Sequence, residues 1–191
     1  SKQIKFFYLP PCSLPFNILF VLKVFIHQQG IAKHENSNSN ILVPLEMQYL
    51  TSIREIFIHS NKLSGSLDGR FNRSTQLKLN VIQVSNNRFT GTLPNEVFAL
   101  SNVTAFIATT NCFTGTLTKS LCQSDRLQTL ILDGLKSATK CRDVLLPVAH
   151  TYRVSGNTHG SIPECLFRLR SLSTLHLSGN GLVHALPNVS F

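Results

Sequence analysis

The sequence predicts an α/β solenoid, in which the short parallel strands of successive repeats line one side. Three observations support this prediction. Apolar residues recur with a period of about 24 residues, an asparagine recurs at one place in most periods, and a glycine-containing phrase follows it. A period of about 20 to 50 residues is typical of repeat arrays, because each repeat buries its apolar face only against a neighbour.

The strand of each repeat is predicted from the apolar residues that precede the asparagine. They lie eight, five and three positions before it, and the last two have the period of two that a strand with one buried face shows. The asparagines are Asn61, Asn87, Asn111, Asn157 and Asn180, and a further copy reaches Leu135 where asparagine is expected. We therefore expect these six repeats to stack their strands into one parallel sheet on the concave side.

The asparagine begins the turn out of the strand. Its side-chain amide offers donors and an acceptor to backbone groups inside that turn. The glycine four positions later suits a tight backbone, and the proline that often follows suits a chain leaving hydrogen-bonded structure. The repeat that reaches Leu135 lacks all three residues, so an irregular turn is expected within residues 133–150. Either sequence drift or a functional irregularity explains it.

The stretch from Leu172 to Pro187 is a near-complete copy of Leu-x-x-Leu-x-Leu-x-x-Asn-x-Leu-x-Gly-x-Ile-Pro, with His184 in place of glycine. On these residues the chain resembles the leucine-rich repeat family in its plant-type form. The resemblance implies a right-handed horseshoe with a parallel β-sheet on the concave face and short 3₁₀ or irregular convex segments. We expect residues 42–191 to form about six repeats, truncated at the C-terminal end, and residues 1–41 a degenerate N-terminal repeat or flank.

A ligand is expected on the concave face, where the residues six, four and two positions before each asparagine point outward in three columns. The first column is Glu55, Val81, Ala105, Thr129, Thr151 and Thr174; the second is Phe57, Gln83, Ile107, Ile131, Arg153 and His176; the third is His59, Ser85, Thr109, Asp133, Ser155 and Ser178. The candidate ligand-binding residues are Phe57, His59, Gln83, Ile107, Ile131, Asp133, Arg153 and His176. The apolar residues among them favour protein or peptide contact, although scattered exposed apolar residues are also common.

The distribution of charge argues against nucleic acid as the ligand. The chain has 18 Lys+Arg and 9 Asp+Glu, a formal net charge of +9, but only Arg153 among the basic residues falls in the three columns. Nucleic-acid binding requires several Lys or Arg contacts to the phosphate backbone. The basic excess therefore lies elsewhere, where it suits solvent, an acidic neighbour or anionic lipid.

The five cysteines favour an oxidising compartment and contain no zinc or redox motif of the Cys-x-x-Cys type. Cys122, Cys141 and Cys165 lie in consecutive predicted turns, so we expect either Cys122–Cys141 or Cys141–Cys165. Cys112 directly follows an asparagine of the array and is interpreted as simply buried.

Three sequons for N-glycosylation begin at Asn72, Asn102 and Asn188. The asparagine, serine and threonine content alone predicts about three such triplets by chance, so their number carries little weight. Their placement carries more, because none lies in the concave columns. Glycans at these asparagines would leave the concave face open.

The sequence favours a protein without catalysis. It contains no nucleophile elbow, zinc-protease motif or phosphate loop, its histidines are scattered, and we expect no cofactor and no metal site. The longest apolar stretch, residues 16–26, is too short to cross a bilayer, which needs about 20 residues. We therefore expect no transmembrane segment in this chain.

The resemblance implies a recognition module like the ectodomains of receptor-like kinases and receptor-like proteins or the secreted inhibitors of wall-degrading enzymes. Such a module binds a protein, peptide or glycan outside the cell or at the cell surface. The alternative is a structural subunit packed within a larger organellar or intracellular assembly. The ends of the array carry no recognisable caps, and neighbouring subunits would cover them.

Overall fold

The computed structural model describes residues 21–23, 41–134 and 158–182. Its strands are β1 (Val21–Lys23), β2 (Ile41–Leu42), β3 (Glu55–Phe57), β4 (Leu63–Gly65), β5 (Val81–Gln83), β6 (Arg88–Phe89), β7 (Ala105–Ile107), β8 (Gly115–Thr116), β9 (Thr129–Ile131), β10 (Thr158–Gly160), β11 (Thr174–His176) and β12 (Gly181–Leu182). Single helical turns connect them on the opposite side: the 3₁₀ turns Leu45–Tyr49, Lys119–Gln123 and Glu164–Arg168 and the α-helix α1 (Asn95–Phe98).

The main sheet has six parallel strands in the order β1-β3-β5-β7-β9-β11. In β3, β5, β7 and β9 the middle residue is buried and its two neighbours are half-buried, which is the predicted alternation. The parallel sheet and the short convex turns confirm the predicted solenoid. The strand predicted around each of the asparagines 61, 87, 111 and 180 is present.

Two smaller parallel sheets follow the turns out of the main sheet, in the orders β2-β4-β6 and β12-β10-β8. The repeated glycine has a physical reason here, because Gly91 and Gly115 adopt φ of 79° and 85°. A Cβ atom at Gly115 would lie 3.1 Å from Cγ2 of Thr92 in the preceding coil. The glycine therefore permits both the left-handed backbone and the close approach of successive coils.

The core runs the length of the array between the main sheet and the convex turns. Apolar residues of each coil pack against those of the next, and four phenylalanines are fully buried: Phe89, Phe98, Phe106 and Phe113. The rings of Phe98 and Phe106 meet edge to face with centroids 5.4 Å apart. This contact packs α1 on the convex side against β7 of the main sheet. The outward residues of the sheet therefore lie above a closely packed core.

The prediction of a separate repeat around Asn157, between the strands β9 and β11, is wrong. Strand β9 pairs directly with β11, with Thr129 opposite Thr174, so no strand lies between them. Strand β10 pairs with β8 and therefore belongs to the same coil as β9. From Leu130 to the glycine of this coil, Gly160, there are 30 positions, whereas the equivalent spacing from Phe106 to Gly115 is nine.

The coil of β9 thus carries an insertion of 21 residues in the turn that leaves the strand. The insertion is almost one repeat long. Its apolar residues therefore continue the period of the array and were interpreted as a further repeat. Gly134 has a φ of 65°, close to the φ of Ser60, Asn86 and Thr110 before the asparagines of other coils, and the irregular turn expected within residues 133–150 otherwise stays a prediction. Residues 135–157, including Asn157, lie outside the described residues.

Strand β1 extends the main sheet at its N-terminal edge, where it pairs with β3. It precedes β3 by 34 positions, whereas β5 and β7 each follow the preceding strand by about two dozen. This irregular spacing agrees with a degenerate repeat in residues 1–41, which otherwise stays a prediction. Among the described residues, no helix has the length and apolar character needed to cross a membrane.

Candidate ligand-binding face

The concave face is formed by the six strands of the main sheet, in which β1 places Val21 beside Glu55 and Lys23 beside Phe57 at the N-terminal edge. The strand register places Glu55, Val81, Ala105, Thr129 and Thr174 side by side as the first column. It likewise places Phe57, Gln83, Ile107, Ile131 and His176 side by side as the second. Apart from the predicted row of Thr151, Arg153 and Ser155, the first two columns lie as the sequence pattern predicts.

Exposure separates this face from the core beneath it. The middle residues Ile82, Phe106 and Leu130 are completely buried, whereas the outward residues on either side of them are half-buried. In the third column Ser85 is the exception, since it is only 8% exposed. Its hydroxyl oxygen has no hydrogen-bond partner. The face thus offers half-buried apolar side chains to a ligand, whereas the Ser85 hydroxyl is buried.

Asp133 and His176 form a pair at the C-terminal end of the face. The Nδ1 atom of His176 lies 3.4 Å from Oδ2 of Asp133, and the other carboxylate oxygen accepts a hydrogen bond from the backbone N–H of Ser178 at 2.7 Å. The Asp133 side chain remains 34% exposed. Sequence reasoning missed this pair, because it placed a further repeat between the two residues.

The prediction that Arg153 stands beside Ile131 in the second column is wrong. The place beside Ile131 that the repeat pattern assigned to it is taken by His176, because β9 and β11 are direct neighbours. Arg153 itself lies outside the described residues. Among the described strands, β1 brings one basic residue into the register of these columns, Lys23 beside Phe57.

The asparagine ladder holds the edge of this face in place. Asn111 is completely buried; its Nδ2 donates to the carbonyl oxygens of Val84, Ala108 and Thr109, and its Oδ1 accepts from the backbone N–H of Phe89. Asn87 makes the equivalent bonds one coil earlier. Each amide therefore ties its own turn to the preceding coil.

The ladder continues across the insertion. Nδ2 of Asn180 donates to the carbonyl of Leu177 in its own turn at 2.8 Å and to that of Leu132 in the coil of β9 at 3.1 Å. Asn61, in the first coil of the ladder, donates to the carbonyls of Ile58 and His59. The register of the concave face is thus fixed on both sides of residues 135–157.

A disulfide joins Cys122 to Cys165. The two predicted pairings, Cys122–Cys141 and Cys141–Cys165, are therefore both wrong. The physical reason is again the insertion, because the 3₁₀ turns that carry Cys122 and Cys165 belong to the adjacent coils of β9 and β11. Their Cα atoms lie 5.9 Å apart. Cys112 is buried as expected but is also disulfide-bonded, so its interpretation as a merely buried thiol is corrected. Cys141 lies outside the described residues.

The two described sequons lie away from the concave strands. Asn72 lies in the convex turn before β5, where its Oδ1 accepts from the N–H of Ser74 at 2.9 Å. Asn102 follows α1, where its Nδ2 donates to the carbonyl of Leu77 and its Oδ1 accepts from Arg126. Asn188 lies outside the described residues. Within residues 21–23, 41–134 and 158–182, no three metal-ligating side chains come together.

Comparison with known proteins agrees with this geometry. Residues 78–100 match the family model described as Leucine Rich Repeat. No curated protein matches the chain by sequence. The match covers β5, its asparagine turn, β6 and α1, which together make about one repeat.

Solved structures match the chain over most of its length. The leucine-rich repeat ectodomain of the receptor kinase SOBIR1 from Arabidopsis thaliana has a TM-score of 0.56 at 20% identity, covering 75% of this chain and 65% of that one. The ectodomain of GASSHO1/SCHENGEN3, in complex with CASPARIAN STRIP INTEGRITY FACTOR 2, gives 0.53 at 23%, covering 75% and 14%. That of HAESA, in complex with an IDA peptide hormone, gives 0.52 at 18%, covering 75% and 20%. The former is from Arabidopsis thaliana and the latter from Arabidopsis.

The chain therefore has a leucine-rich repeat solenoid fold, with one repeat that matches the family model and a fold shared with these ectodomains. It spans 14% to 65% of the length of the three ectodomains it resembles.

Proposed function

We propose that this chain is a non-catalytic recognition module that binds a protein, peptide or glycan through its concave face. The observation that carries the proposal is the second column, where Phe57, Ile107 and Ile131 stand half-buried on the outer face of the sheet. Apolar groups kept on such a surface gain free energy when a partner covers them. Two of the similar ectodomains are themselves complexes with a peptide hormone or an integrity factor, which supports this reading.

The rigidity of the face favours binding. Its side chains project from strands that are hydrogen-bonded on both sides, above completely buried neighbours such as Phe106 and Leu130. A ligand therefore meets side chains that are already ordered, and association costs less conformational entropy than it would on a loop. Ile107 and Ile131, which are neighbours in register, form the natural anchor for a ligand's apolar side chain.

The test is a selection from a phage-displayed library of random 12-residue peptides on the immobilised protein. We expect peptides selected by the wild type to bind the double variant Ile107→Arg/Ile131→Arg at least about 100-fold more weakly, because two apolar contacts of about 1.5 kcal/mol each are lost. The matched control is Leu77→Arg, an exposed leucine in the turn before β5. An equal loss of binding in the control, or no loss of binding in the double variant, contradicts the proposal. A glycan array probed with the same variants tests glycans as the ligand.

We place this module outside the cell or at the cell surface. The Cys122–Cys165 disulfide suits an oxidising compartment, and glycans on Asn72 or Asn102 would project from the side opposite the concave columns. We expect the intact mass of the natively purified protein to fall after N-glycosidase treatment, with hexose-containing glycans released from these sequons. An unglycosylated chain with every thiol free would contradict extracellular recognition.

A structural subunit within a larger assembly is the second candidate function. The observation that favours it is the burial of the last described coil. There Leu172, Leu175 and Leu177 are only partly buried. The leucines at the same positions in the coil of β9 are completely buried: Leu127, Leu130 and Leu132. Exposed core leucines gain stability when another element covers them. If this function is correct, the natively purified protein stays in a complex far above 21.2 kDa at high salt, as measured by light scattering after size-exclusion chromatography.

A further inference from the structure

The small sheet β2-β4-β6 carries an arginine whose side chain has no partner. Arg88, the first residue of β6, is half-buried, and its Nε atom is buried without a hydrogen-bond acceptor. Its guanidinium makes no ion pair or hydrogen bond with the described part of the chain. The other half-buried arginine of the described residues, Arg70, donates to the carbonyl oxygens of Val43 and Asp68. A guanidinium withdrawn from water normally has such acceptors, and Arg88 lacks one.

A buried hydroxyl stands opposite this arginine. Ser64 is the middle residue of β4 and lies in register with Arg88. Their neighbours Leu63 and Phe89 belong to the core, so Ser64 and Arg88 point to the other face of the sheet. Ser64 is only 3% exposed, yet its Oγ has no hydrogen-bond partner. Neighbouring strands lie about 4.8 Å apart, so one bound atom can contact both side chains.

The positive charge at this place is not balanced by a carboxylate. Lys62 is exposed two positions before Ser64, which is at most about 7 Å along the chain and within the span of a lysine side chain. Among the described residues, neither Lys62 nor Arg88 forms an ion pair. The carboxylate nearest to β4 in sequence, Asp68, accepts a hydrogen bond from the hydroxyl of Ser66. Two cations and a hydroxyl therefore offer donors without an acceptor, which is the chemistry that an anion matches.

We propose that Lys62, Ser64 and Arg88 form a binding site for an oxyanion, in the form of a phosphate, a sulfate or the carboxylate of an acidic sugar. Ligand oxygens would accept hydrogen bonds from the Ser64 hydroxyl and the Arg88 guanidinium, and Lys62 would neutralise the remaining charge. Arginine suits this role because its planar fork donates to two oxygens of one group. The site lies on the sheet β2-β4-β6 and not on the main sheet, so it is independent of the proposed concave ligand.

Titration of the ¹⁵N-labelled protein with sodium phosphate, sodium sulfate and sodium glucuronate, at constant ionic strength, tests the site. We expect at least one of the three anions to shift the Arg88 Nε–H resonance and the backbone N–H resonances of β4 and β6 until they saturate. The variant Lys62→Gln/Arg88→Gln should abolish this saturable binding. Ser64→Ala removes one hydrogen bond to a charged group and should weaken the affinity about tenfold.

Ser64→Ala also separates binding from folding. The hydroxyl that it removes is buried without a partner, so this variant should melt no lower than the wild type when no anion is present. Its weaker affinity would then come from the site and not from a damaged fold.

The matched control is Lys78→Gln/Lys119→Gln, which removes two positive charges at exposed positions outside this sheet. It should leave the affinity unchanged, because net charge alone does not make the site. An anion that binds Lys62→Gln/Arg88→Gln as tightly as the control would overturn the inference. Shifts confined to other parts of the chain, or no binding of any of the three anions, would overturn it as well.

Discussion

Replacing Asn111 by alanine is expected to lower the free energy of unfolding by about 3 kcal/mol, because it leaves buried backbone groups without partners. The backbone N–H of Phe89 would lose its acceptor, and the carbonyl oxygen of Ala108 would lose its donor. No water reaches this site in the folded chain, since Asn111 is completely buried. The measurement is urea denaturation followed by circular dichroism.

The matched control for this substitution is Asn61→Ala. Asn61 occupies the same place in an earlier coil but is half-buried and donates only to the carbonyls of Ile58 and His59. The carbonyl of Ile58 keeps a second donor, Nδ2 of Asn87. We expect a loss of about 1 kcal/mol or less. Equal losses at the two positions would contradict the account of the ladder.

Removing the Cys122–Cys165 disulfide by alanine substitution at both positions should cost about 4 kcal/mol, given a closed loop of 43 residues in the unfolded chain. The insertion lies inside this loop. The insertion lengthens the segment between the coils of β9 and β11. The disulfide therefore removes more conformational entropy from the unfolded chain than it would without the insertion. Thermal unfolding without reductant measures the effect.

Two further variants isolate the crosslink. Cys122→Ala alone should give nearly the same loss as the double variant, since either substitution removes the bond. Ser120→Ala, in the same 3₁₀ turn, should change the stability by no more than about 0.5 kcal/mol. A double variant that melts like the wild type would show that the bond adds no stability.

The sequence predicted the solenoid because two periods coincide in it. Apolar residues such as Ile82 and Val84 alternate as in a strand, and the strand recurs at a spacing close to that of the asparagines. Register follows from this spacing, so the columns that contain Phe57, Ile107 and Ile131 could be predicted from the residue order alone. The buried ladder could also be predicted, because an amide side chain both donates and accepts hydrogen bonds within one turn.

The insertion could not be recognised from periodicity alone. It lengthens the spacing of β9 and β11 to nearly two periods, so counting asparagines yields one coil too many. One detail did mark it: Gly160 lies three positions after Asn157, whereas Gly91 and Gly115 each lie four positions after their asparagines. The Cys122–Cys165 pairing and the Asp133–His176 contact were missed for the same reason, since both depend on which coils are neighbours.

The central claim is that the coils of β9 and β11 are adjacent, so that Ile131, Asp133 and His176 belong to one continuous face. Tryptic mapping of the non-reduced protein tests it most directly, because Cys122, Cys141 and Cys165 fall in separate tryptic peptides. If these coils are adjacent, a crosslink joins residues 120–126 to residues 154–168. A crosslink from Cys141 to either of the other two would separate these coils and contradict it.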